Sequence, residues 1–150
     1  MKLPADVLSV FRRYGREGGR KRAAVMSPAA RQAVARRAAA ARWIAERFGS
    51  PRFQDIGLPG GELIDQGLAD LAAGHVSDES LLVSIAAPRL RREGVPTPVA
   101  LEDPEDRLYE RMVERHGRLA HARYGALLRQ AASFSDACRG ARTQRTRRAP

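Results

Sequence analysis

Cysteine, lysine and aromatic residues are scarce in this 150-residue chain: one Cys, two Lys among 27 basic residues, and 5% Phe, Trp and Tyr. The lone Cys138 excludes an internal disulfide and any cysteine-based metal cluster, a usage that fits a reducing compartment. With so few aromatics and so many alanines, buried area per residue is modest, and each helix must lean on its neighbours. No stretch approaches the roughly 20 apolar residues of a membrane span. The start MKLPADVLSVF places Pro4 and Asp6 where a signal peptide needs an apolar core, so a soluble cytoplasmic protein is expected. Alternating apolar and polar residues are missing throughout, which points to an all-α class.

What is present is charge, sorted along the chain. Lys and Arg number 27 against 17 Asp and Glu, for a net +10. Residues 1–52 hold 13 basic and three acidic residues, residues 53–138 hold nine and 14, and residues 139–150 hold five and none. Opposite signs in successive segments imply surfaces for different partners. The expected organisation is a basic helical module over 1–52, an acidic helical partner-binding domain over 53–138 and a disordered basic tail, RGARTQRTRRAP, over 139–150.

In the basic segment, Ser27 can cap a helix that Pro28 opens, a position where the missing N–H costs nothing. No breaker follows until Gly49-Ser50-Pro51. At 100° per residue, Ala30, Ala33, Val34, Ala41, Ile44, Ala45 and Phe48 gather on one face, with Arg37 intruding. Arg31 and Arg42, and likewise Arg36 and Arg47, lie almost three whole turns apart and form two rows with Trp43 among them. Upstream, Val7, Leu8, Phe11 and Tyr14 recur at helical spacing before Gly15, Gly18 and Gly19. Either a helix breaks at these glycines or their missing side chains admit a second backbone. One helix, with Gly18 as the site of any interruption, packing against the second helix as an antiparallel or steeply crossed pair, is the preferred arrangement. Alanine supplies a stiff, slim rod, and arginine its polar face.

The stretch GGRKRAAVMSPAARQAVARRAAAARW resembles a short module of small bacterial proteins, of the form GG-x-x-R-A followed by [ST]-P and a closing A-R-W. The resemblance implies a helix-turn-helix-like role in DNA binding. The candidate phosphate contacts are Arg20, Lys21, Arg22, Arg31, Arg36, Arg42 and Arg47. Trp43 has two readings, packing against a neighbouring helix or stacking on nucleic acid.

Beyond the Gly- and Pro-rich PRFQDIGLPGG, read as a linker, Leu63, Ile64, Gly67, Leu68 and Leu71 mark a helix that Gly74 ends. Ser77 caps the next, which Pro88 should end or kink. Gly94 and VPTPVALEDP make a break, and Asp103-Pro104 opens a long helical stretch that Gly117 can divide. Glu110 and Glu114 beside Arg107, Arg111 and Arg115 read as a face laced with ion pairs. Leu81, Leu82, Ile85, Tyr109, Met112 and Tyr124 are the candidate partner contacts. The segments GELIDQGLADLAAGHVSDESLLVSIAAPRLRREGVPTP and PEDRLYERMVERHGRLAHARYGALLRQAASF are similar to small proteins encoded beside abortive-infection type nucleotidyltransferase toxins. That likeness implies an antitoxin that restrains its toxin while the basic half holds operator DNA.

Little composes an active site. His116 and His121 fall off a common helical face and lack further ligands, and His75 stands alone by a helix end. Cys138 has no ordering pair and lies where the last helix is expected to fray. The glycine runs lack the strand and spacing of a phosphate loop. Neither catalysis nor a metal or other cofactor is expected. The leading expectation is a DNA-binding antitoxin, compatible with a homodimer. The alternative is an adaptor without a DNA role, whose basic helices cover an acidic or RNA-binding partner surface.

Overall fold

A computed structural model describes residues 5–148, and among these every regular element is helical. The order is α1 (Ala5–Val25), α2 (Pro28–Phe48), a 3-10 turn at Gln54–Ile56, α3 (Gly61–Ala73), α4 (Asp78–Arg92), α5 (Pro104–His116), a 3-10 turn at Gly117–Leu119, and α6 (Ala120–Arg148). No described helix is long and apolar enough to cross a membrane. The chain divides into two compact units between Arg36 and Arg37, inside α2 and ahead of the boundary expected at 52/53.

The first unit holds α1 and the opening turns of α2. The Ser27 hydroxyl accepts from the Ala30 amide at 3.2 Å and the Ser27 carbonyl from the Arg31 amide at 3.0 Å, so the Ser-Pro signal acts as expected. Helix α1 runs unbroken through its three glycines. A Cβ at Gly15, Gly18 or Gly19 would meet no atom within 4 Å, and every residue from Leu8 to Val25 is exposed. The close backbone approach that the glycines suggested is therefore not present among the described residues. Its stability is local, and the Lys21–Glu17 pair at 3.8 Å is solvent-exposed and weak.

The second unit is built around α4. Ser77 caps it in a reciprocal capping box with Ser80. Leu81, Leu82, Val83 and Leu90 are buried, with Ile64 of α3, Leu108 and Met112 of α5, and Phe134 and Cys138 of α6 around them. Helix α3 lies against α4 so closely that a Cβ on Gly67 would fall 2.3 Å from the Glu79 carbonyl oxygen. Pro88 does not end α4, which runs on to Arg92. The buried Leu90 beyond it, whose carbonyl accepts from Val95 at 2.8 Å, holds the last turn against the core despite the lost hydrogen bond.

An aromatic series carries the end of α2 into this core. Trp43 and Phe48 have centroids 6.2 Å apart, Phe48 and Phe53 5.3 Å, and Phe53 and Phe134 4.8 Å, the last two edge to face. Phe53, read from sequence as part of a linker, is fully buried. Gly117, at φ 51°, separates α5 from the turn that leads into α6, so the expected division occurs. Where a tail was expected from residue 139, α6 continues to Arg148.

Glycine substitutions separate the two units by sign. Gly67→Ala should destabilise the bundle by about 1–3 kcal/mol or more through overpacking, measured by urea unfolding. Gly18→Ala and Gly19→Ala should each favour α1 by about 1 kcal/mol and raise the helical circular dichroism signal. A neutral Gly67→Ala would show that α3 and α4 are not in close contact.

Candidate nucleic-acid interface

On α1, Arg12, Arg16 and Arg20 succeed one another four residues apart and therefore share one side of the helix. With Ser9, Arg13 and Glu17 they line an open groove of about 580 Å³. Lys21 and Arg22 follow, both exposed. Arg22, in the last turn, also suits the negative end of the helix dipole. Arg31 and Arg36 on the opening turns of α2 are likewise exposed. Among the described side chains of the first unit, Glu17 is the one carboxylate facing all these cations. Arg12, Arg13 and Arg16 were not among the expected contacts, although their spacing of three and four residues was visible in the sequence.

In the second unit, Arg42 is exposed, whereas Arg47 is half-buried with its guanidinium 5.0 Å from the Trp43 ring centroid. Trp43 itself packs on the core, and a Cβ at Gly94, whose φ is +81°, would come within 3.2 Å of the indole. Of the two readings of Trp43, packing is the observed one, and Arg47 is a lid on that indole.

The expected partner contacts separate by burial. Leu81 (0%), Leu82 (1%) and Met112 (3%) lie in the core, where they hold the bundle together and offer no surface to another protein. Ile85 and Tyr124 are half-buried and Tyr109 is 40% exposed. The two tyrosines meet edge to face at 5.5 Å. Beside them, Leu82, Ile85, Ala86, Leu128, Ala131 and Ala132 line a groove of about 310 Å³ between α4 and α6, with Glu105 and Arg89 also in its wall. Leu128 and Ala132 were missed because helical spacing alone does not say which apolar positions border a gap.

The ion-pair-laced face expected on α5 is arranged differently. Arg111 Nε donates to Asp78 at 2.6 Å, and Arg115 donates to the same carboxylate, one of its bonds being 3.0 Å. Arg107 donates to the Glu102 carbonyl at 3.3 Å. Glu105, Asp106, Glu110 and Glu114 stand exposed and form no ion pair with a described cation. Burial, then the carboxylates of Glu105 and Asp106, push the Tyr124 phenol above its ordinary range.

Cys138 is fully buried on α6, not at a frayed end, and burial with the nearby Glu93 pushes its thiol up to about 12. His75, His116 and His121 are exposed, and among the described residues no three His, Cys, Asp or Glu side chains gather as a metal set. No protein family, curated protein or solved structure matches the chain.

The raised thiol makes a checkable statement. At pH 8 Cys138 is protonated in the folded protein and should resist a disulfide labelling reagent, reacting only as urea opens the core. Rapid stoichiometric labelling without denaturant would place it at the surface.

Proposed function

We propose that this protein is a DNA-binding regulator whose basic N-terminal helices neutralise duplex phosphates, and that it acts as the antitoxin of a toxin-antitoxin pair. The observation that supports DNA contact is the first unit: exposed guanidinium groups on an unburied helix, opposed by a single described carboxylate. Arginine suits this use because its planar fork engages phosphate oxygens bidentately. Arg20, Lys21, Arg22, Arg31, Arg36 and Arg42 form the contact set, joined by Arg12, Arg13 and Arg16; Arg47, placed over Trp43, is the weakest member.

The antitoxin role rests on the resemblance of residues 61–134 to the neighbours of nucleotidyltransferase toxins. In this reading the bundle restrains the toxin and the basic helices repress the shared operon. The adaptor alternative draws on the exposed α5 carboxylates, which form no ion pair with a described cation, and on the adjoining groove, which fit a protein contact whether or not DNA is bound.

Duplex affinity measured against salt tests the reading. Six neutralised phosphates give a log-log slope of about −5, each contact contributing about −0.9. Arg31→Ala or Arg36→Ala should lower the slope by about one contact, while Arg47→Ala should leave it nearly unchanged. Duplex binding that survives removal of residues 1–36, which leaves the second unit whole, overturns the assignment, and no duplex binding by the full chain supports the adaptor.

A further inference from the structure

Helix α1 bears more than cations. Leu8, Phe11 and Tyr14 stand 38%, 64% and 61% exposed at helical spacing, flanked by Arg12, Arg13 and Arg16. Phosphates would engage those guanidinium groups and leave the apolar stripe in water. An amphipathic helix of this kind docks in an apolar groove with an acidic border.

The second unit carries such a groove. Its floor is apolar, formed by the half-buried Ile85, Leu128 and Ala132, and Glu105 stands in its wall. Along the same helix Asp106, Glu110 and Glu114 remain exposed and without ion pairs to described cations, because Arg111 and Arg115 are drawn to Asp78. The exposed Tyr109, edge to face with Tyr124, adds an aromatic surface on which a guanidinium can rest. Even the minority charges have counterparts, Arg89 in the groove wall and Glu17 on α1.

We propose that the groove between α4 and α6, with the acidic edge of α5, receives α1 of a second copy of this chain, so that two copies exchange their N-terminal helices. Charge complementarity selects this occupant: the chain encodes both the cationic stripe and the carboxylates that match it. Arg12, Arg13 and Arg16 then meet carboxylates in the pair and phosphates on DNA, so self-association and duplex binding compete for the same groups. The exchange itself does not depend on the DNA-binding reading, and its test contains no nucleic acid.

Sedimentation of the full chain over a range of concentrations and salt should show a dimer that weakens as salt rises. A variant with Glu105→Lys and Asp106→Lys, and one with Arg12→Glu and Arg13→Glu, should each self-associate at least tenfold more weakly. An equimolar mixture of the two should regain wild-type affinity within about threefold, because both contacts are then matched again. Phe11→Ser, at an exposed position that cannot disturb a core, should weaken the dimer about tenfold and covers the case in which a charge-reversed variant fails to fold. A chain that is monomeric at every concentration, as when α1 lies free or on its own bundle, overturns the proposal. So do folded reversed variants that dimerise like wild type, a mixture of folded variants that restores nothing, or a Phe11→Ser chain that dimerises as before.

Discussion

The second unit depends on one line of aromatic contacts. A chain with only eight aromatic residues places four of them, Trp43, Phe48, Phe53 and Phe134, in a continuous series of ring contacts from the foot of α2 to α6. Alanine-rich helices bury little area each, so a few large rings carry a disproportionate share of the contact. The series also fixes what the turn between α2 and α3 can do. Phe53 must reach the core, and the Gln54 amide then donates to Asp65 at 3.0 Å, binding the turn to α3. Partial burial raises the Asp65 carboxyl, while amide donors oppose that shift.

Electrostatics in the bundle follow from which partners geometry permits. Asp78, in the first turn of α4, collects two arginines from the last turns of α5 and leaves the carboxylates of α5 without them. The two-arginine contact is only partly exposed, so it is screened less than a surface pair. An acidic edge next to an apolar groove is the by-product, and it is the surface on the bundle best suited to a cationic helix. Positive charge in the first unit is arranged in the opposite way, with exposed guanidinium groups on helices that bury almost nothing.

Local chemistry was legible in the sequence. Ser27-Pro28, Ser77, Gly74 and Gly117 mark the helix ends they were expected to mark, because caps and left-handed glycines act within a few residues. Long-range choices were not. Leu81 and Ile85 share a helix and a hydropathy class, yet one is sealed and the other borders a gap, a difference set by what α6 places opposite. The destination of Arg111 could not be read from its own helix, since Asp78 is 33 residues away in the chain. Pro88 was expected to end or kink α4 on local grounds, and it does not end it, since the buried Leu90 holds the last turn to the core. The linker reading of PRFQDIGLPGG missed Phe53 because Gly and Pro content does not register a single buried ring.

Trp43 is the one tryptophan in the chain, seated against Gly94 and beneath the guanidinium of Arg47. Its indole is thus a built-in fluorophore at a defined point of the bundle, next to a cation that polarises its excited state. Emission wavelength and quenching therefore follow the seating of the last turns of α2 without any dye, and loosening there is visible in a cuvette before the whole bundle melts.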